Sequence, residues 1–110
     1  MQLLIANKEI PLDKEGFLSN LDDWNTAVAQ AIAENEGLQL TEQHWEIIQL
    51  LRQFYQQFEL SPAMRPLIKY ISQNLDKDKA NSLYLLKLFP NSPAKLASKI
   101  AGLPKPENCL

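Results

Sequence analysis

The sequence predicts a mainly α fold: a compact, angled bundle of about five helices with an N-terminal β-hairpin and an extended C-terminal arm. Three observations support this. Between residues 22 and 101, apolar side chains recur at intervals of three and four, the period of a helix face. The stretch before them, LLIANKEIPL, is short, strand-like and broken near Asn7. The stretch after them, GLPKPENCL, carries Pro104 and Pro106 and cannot continue a helix. With 110 residues, 45% hydrophobic and 22% charged, the chain is long and apolar enough for one core and unsuited to disorder. A single domain over 1–110 is expected, with a radius of gyration of about 13 Å.

The elements follow in order. Leu3–Ile5 and Glu9–Leu12 form the hairpin strands, with Asn7 near the turn and Pro11 at an edge, where a missing N–H is tolerated. Two strands are marginal alone, so the hairpin must lean on helices. DKEGFLSN is a second turn region, punctuated by Gly16. The first helix is expected over Asp22–Glu36, capped by Asn20 or Asp22. Its inner face holds Trp24, Val28, Ala31 and Ile32, and Gly37 supplies a left-handed stop. Thr41 caps the second helix, along which Trp45, Ile48, Leu51, Tyr55 and Phe58 recur at helical spacing. Ile47, Leu50 and Phe54 widen that stripe, which makes this the central helix and its aromatics core rather than a cofactor box.

The third helix, within LSPAMRPLIKYISQNL, has two candidate starts. Ser61 and Pro62 read as cap and first position, but Pro66 then falls where a backbone N–H should be bonded. A start at Pro66 removes the conflict and leaves 61–65 as a turn. Leu67, Ile71 and Leu75 line the inner face either way. DKDKANS breaks the pattern and caps a short fourth helix, LYLLKLF, which ends before Pro90. Ser92 and Pro93 open the fifth, AKLASKIA, and Gly102 closes it.

Charge is unevenly spread. Residues 1–60 carry ten acidic and three basic side chains, whereas residues 61–110 carry three acidic and eight basic ones, for a net of −2. This suggests a basic face near the C-terminus for an acidic partner; the alternative is an ordinary solvated surface. No secretory signal pattern opens the chain, no apolar run approaches a membrane span, and a lone cysteine cannot close an intramolecular disulfide. A reducing, cytoplasmic setting without a membrane partner is the expectation.

Few residues offer self-contained catalysis. His44 is the sole histidine, and no second histidine or cysteine stands at metal-ligand spacing, so it reads as a surface or packed residue and no metal is expected. The three glycines are isolated, which excludes a phosphate loop, and no carboxylate pairs with a base and nucleophile. No cofactor is expected. The third and fourth helices, with Arg65, Lys69, Lys77 and Lys79 nearby, have the outline of a helix-turn-helix. The acidic net charge and the lack of a base-reading set of side chains argue against direct DNA binding.

The remaining candidate is Cys109. Pro104 and Pro106 keep the segment after Gly102 extended and semi-rigid. Seven residues at about 3.1 Å each would carry the thiol roughly 22 Å, beyond the radius of the body and into a partner's site. Lys95, Lys99 and Lys105 would help hold a thiolate or persulfide anion, while the terminal carboxylate opposes it. Physics leaves a frayed, incidental chain end as an equal alternative.

FPNSPAK followed by KIAGLPKPENCL resembles the C-terminal signature of the DsrC/TusE family. LDDWNTAVAQAIAENEGLQLT followed by HWEIIQLLRQFY resembles that family's first two helices, so the likeness spans essentially the whole chain. The resemblance implies a sulfur carrier of sulfurtransferase type, without independent turnover, whose penultimate cysteine, here Cys109, accepts sulfane sulfur as a persulfide and hands it on. It also implies a helical bundle with a hairpin and a mobile arm over residues 103–110, and it accounts for the helix-turn-helix outline without DNA.

The family's DsrC branch serves dissimilatory sulfite reductase and carries a second cysteine upstream. The matching position here is Ser98, whose hydroxyl cannot hold sulfane sulfur or close a disulfide. That departure points to the TusE branch. For it, the resemblance implies a TusBCD-like donor complex, with TusD handing over the sulfur. The implied recipient is an MnmA-like thiouridylase acting with tRNA, which makes 2-thiouridine at the wobble position. A DsrC-like partner of sulfite reductase and a helix-turn-helix DNA-binding regulator stand as the alternatives.

Overall fold

The structure, a computed structural model, describes residues 2–107. A two-stranded antiparallel hairpin, β1 (Gln2–Ile5) and β2 (Lys8–Pro11), precedes five helices: α1 (Thr26–Asn35), α2 (Glu42–Phe58), α3 (Met64–Asn74), α4 (Ser82–Leu88) and α5 (Pro93–Ile100). The expected fold class is the one observed, and the radius of gyration is 13.1 Å. No helix among the described residues is long and apolar enough to cross a membrane.

The hairpin turns through Ala6 and Asn7, both at positive φ (50° and 66°), the two-residue loop whose twist matches the flanking strands. Leu3 faces Ile10 across the ladder, and both are buried. Pro11 sits at the ladder's end opposite Gln2, and its carbonyl accepts from the Ser19 N–H.

The first helix starts later than its periodicity suggests. Asn20 caps only a single 3-10 turn at Leu21–Asp23. Trp24 is then extended (ψ 137°), and α1 begins after Asn25, whose side chain accepts from the Val28 N–H. Trp24 therefore lies outside the helix, held away by partners at the far end of the chain. Val28, Ala29, Ile32 and Ala33 form the buried face, and Ala31 is half-buried. Gly37 (φ 72°) ends α1 as expected: its N–H donates to Glu34 O and that of Leu38 to Ala33 O, a Schellman motif.

The buried face of α2 comprises His44, Ile47, Ile48, Leu50, Leu51 and Phe54; Trp45 and Tyr55 are half-buried and Phe58 is exposed. His44 is packed. The Thr41 N–H donates to Nδ1 (3.0 Å), which makes Nε2 the protonated nitrogen of the neutral ring, and Nε2 donates to Leu88 O (2.7 Å). One imidazole thus caps α2 and ties it to the end of α4.

For α3 neither candidate start is the observed one. Helix geometry begins at Met64, so Pro66 occupies the first turn, where a backbone N–H would have no intrahelical partner and proline's lack of one costs nothing. Ser61 is not a cap. Leu67 and Ile71 are buried as expected, but Leu75 falls at the C-cap and is exposed, and Tyr70 takes the inner position. Asn81 caps α4, and Pro93 opens α5.

The hub is α5 rather than α2. It packs against α1, α2, α3 and α4, whereas the main packing of α2 is on α3 and α5. Its buried residues include Ala94, Ala97 and Ser98, followed by Ala101, small side chains that let neighbouring helices approach closely. A broad apolar stripe was the wrong sign of centrality here.

The charge asymmetry is partly consumed within the fold. Lys95 and Lys105 both pair with Glu15, Lys99 with Glu36 and Lys79 with Glu46, each joining a cation of the second half to a carboxylate of the first. The expected basic face is correspondingly reduced, although Arg65, Lys69, Lys77 and Lys87 are exposed.

Candidate functional site

Cys109 lies outside the described residues, so the site is read from its mount: the end of α5 and the segment 102–107. The last carbonyls of a helix have no intrahelical partners. Here all four are satisfied. Leu103 N–H donates to Ser98 O (2.9 Å) and Gly102 N–H to Lys99 O (3.2 Å). The indole Nε1 of Trp24 donates to Ile100 O (2.9 Å), and Arg52 Nη1 donates to Ala101 O (2.7 Å).

Trp24 and Arg52 form one clamp. The guanidinium carbon lies 3.8 Å from the centroid of the Trp24 ring, a stacked cation–π contact. Burial lowers the pKa of Arg52, whose charge nevertheless persists at physiological pH. Gly102, at φ 75°, lies so close to the indole that a Cβ would enter the ring. The residue must be glycine for two independent reasons, backbone conformation and contact.

The next residues lie on the body. Leu103 is 2% exposed, Pro106 is buried, and the hydroxyl of buried Ser61 donates to Pro104 O (2.6 Å). Lys105 Nζ reaches Glu15 (3.1 Å) from the other side. The segment is neither helix nor strand, consistent with its prolines. Its extension is not free reach, however, because 103–106 are held against the domain. The estimate of roughly 22 Å counted from Gly102 does not describe this arrangement.

The three lysines expected to support a sulfur anion do gather at one place, around the turn at Glu15 and Gly16. Lys99 Nζ lies 2.7 Å from Glu36 and 5.3 Å from the Phe17 ring centroid, and Lys95 lies 2.8 Å from Glu15. Each therefore already has a carboxylate. Hydrogen bonds from Lys95 and Lys105 hold the Glu15 carboxyl below its ordinary pKa. Ser98 is fully buried, and its Oγ has no hydrogen-bond partner among the described residues.

A cleft of about 370 Å³ opens beside the segment, between the α2–α3 loop and the arm. Phe54, Leu60, Pro62, Pro66 and Pro104 line it, with Glu59 and Glu107 among its charged residues. Trp24, Arg52, Ser61 and Glu15 were not singled out as site residues by sequence reasoning. Their partners lie 76, 49, 43 and 90 residues away, and no local pattern carries such information.

Comparison with known proteins places this geometry in context. Residues 4–110 match the family model described as DsrC like protein. The chain is 48% identical over 110 residues to the sulfurtransferase TusE of Photorhabdus laumondii, covering 100% of this chain and 99% of that one. The solution structure of Allochromatium vinosum DsrC superposes with a TM-score of 0.90 at 46% identity, covering 99% of this chain and 97% of that one. The oxidized γ-subunit of the dissimilatory sulfite reductase (DsrC) from Archaeoglobus fulgidus has a TM-score of 0.86 at 38% identity over 100% of both chains.

Proposed function

Since this chain belongs to the DsrC-like protein family, we propose that it is a sulfur carrier that takes persulfide sulfur onto Cys109 and relays it toward tRNA thiolation. The observation that carries the reading is its 48% identity, over the full length of the chain, to a relative named sulfurtransferase TusE. The firmly seated segment that leads to Cys109 supports it: a thiol meant for delivery needs a mount. The reading assigns Cys109 one role, with sulfur received from a TusD-like subunit of a TusBCD-like complex and passed to an MnmA-like thiouridylase with its tRNA, in the cytoplasm. The arm, residues 103–110, is the delivery element.

The chemistry balances without an outside oxidant. The Cys109 thiolate attacks the sulfane sulfur of a donor persulfide; the donor S–S bond breaks, and the donor cysteine leaves as thiolate. An acceptor thiolate then attacks the terminal sulfur of the Cys109 persulfide, which regenerates the Cys109 thiolate. Lys95, Lys99 and Lys105 support the anion only by exchanging from Glu15 and Glu36. The sulfite-reductase reading is favoured by the DsrC names of the solved relatives. It is opposed by Ser98, a serine where the family resemblance leads one to expect that branch's second cysteine.

Intact mass spectrometry after incubation with a persulfide donor tests the proposal. A gain of one sulfur on the wild-type chain, absent from Cys109→Ser, is the expected result. An equal gain on both proteins overturns it.

A further inference from the structure

We infer that the cleft between the α2–α3 loop and the arm is the docking face for the sulfur-accepting protein, and that this acceptor presents an apolar anchor flanked by basic side chains. The inference rests on the carrier reading and adds to it a surface and a partner chemistry.

The first argument is reach. Glu107 lines the cleft, and Cys109 follows two residues later. Two residues of chain span no more than about 7 Å at about 3.6 Å each, so the covalent link from the cleft to the proposed carrier thiol is short. While Ser61 and Glu15 hold Pro104 and Lys105, an acceptor must bring its own sulfur to this point. Its surface then covers the cleft mouth.

The second argument is what the face displays. Leu60, which lines the cleft, is 54% exposed, and Phe58, which lies outside the lining but against its Phe54, is 47% exposed. Phe58 lies against Phe54, 4.6 Å between ring centroids, and Phe54 in turn meets Tyr70 edge-on at 5.1 Å. The exposed ring is thus the outer member of an ordered aromatic row, a rigid platform that costs little entropy to cover. Glu59, at φ 57°, takes a left-handed turn that ends α2 and leads directly into Leu60.

The third argument is charge. The charged residues lining the cleft are Glu59, Lys105 and Glu107, and Lys105 is occupied by Glu15. Glu59 and Glu107 have no ion-pair partner among the described residues. Arg65, close by on α3, does not line the cleft. An acidic rim around an apolar centre fits a protein with basic flanks, as enzymes that handle RNA have. Complementarity of this kind speeds encounter and selects the acceptor.

The test uses the full chain carrying Cys109→Ser, so that no sulfur moves, and purified MnmA-type thiouridylase as the probe. Leu60→Asp should weaken binding at least tenfold, and Glu59→Lys with Glu107→Lys should weaken it and flatten its salt dependence. Leu83→Asp, a 74% exposed leucine on α4, should bind within twofold of the parent. Circular dichroism checks that each variant is folded. Equal affinity for the Leu60→Asp and Leu83→Asp proteins overturns the inference. So does a Leu60→Asp defect confined to the TusBCD-type donor complex. If Cys109 gains no sulfur in the mass assay, the carrier reading fails instead, and the two failures are separable.

Discussion

Gly102→Ala tests whether the arm is held through its contact with Trp24. Gly102 has φ 75°, and a Cβ there would enter the indole. The left-handed conformation costs an alanine about 1–2 kcal/mol. Forcing a methyl into an occupied space adds about 1–3 kcal/mol. A displaced indole also gives up its bond to Ile100 O, worth about 1 kcal/mol. Together these come to about 3–6 kcal/mol, a large part of the roughly 5–15 kcal/mol typical of a domain. Gly37→Ala is the reference, because Gly37 has φ 72° and a Cβ there would meet nothing within 4 Å. It should lose only the conformational share, about 1–2 kcal/mol. At about 4–5 °C per kcal/mol, the midpoint falls by roughly 12–30 °C for Gly102→Ala and roughly 4–10 °C for Gly37→Ala. Urea and thermal unfolding of both proteins, followed by tryptophan fluorescence and circular dichroism, measure the difference. Equal losses would refute the reasoning, since only the contact distinguishes the two sites.

Two further expectations concern buried polarity and charge. Ser98→Ala removes a buried hydroxyl without a partner among the described residues, so urea unfolding should show no loss, or a gain of up to about 1 kcal/mol; a loss above that size would mean that the hydroxyl is bonded. Glu15 has its pKa lowered from 4.5 by Lys95 and Lys105, so its stabilisation is fully present above that value and is lost as pH falls through the depressed one. The stability gap between wild type and Glu15→Gln should therefore hold steady above pH 4.5, close below it, and shrink in high salt. A gap that widens on acidification would contradict the pairing.

What the sequence made legible was local. The hairpin, the Pro93 and Gly102 frame of α5 and the Gly37 stop depend on the conformations of single residues, and the structure has each of them. The misplacements have tertiary causes. Trp24 fits a helical period with Val28, yet its indole serves Ile100 O, 76 residues on, and the helix starts only after Asn25. Leu75 continues the spacing of Leu67 and Ile71, but α3 ends one residue before it. Ser61 reads as a helix cap and instead holds Pro104. The basic second half suggested an external partner; half of its cations instead find carboxylates of the first half. The candidate thiol was visible at once, because it is the only one, whereas the clamp that closes the end of α5 depends on distant contacts.

The seated segment changes the arithmetic of encounter. Counted from Gly102, Cys109 is seven residues on; counted from Pro106, the last residue held against the domain, it is three. The effective concentration that a flexibly tethered group presents to a docked target falls roughly as the −3/2 power of tether length, so under the proposed carrier role the shorter count would raise it about 3.6-fold. Under the proposed carrier role, holding the first half of the arm trades reach for frequency of encounter with a docked partner.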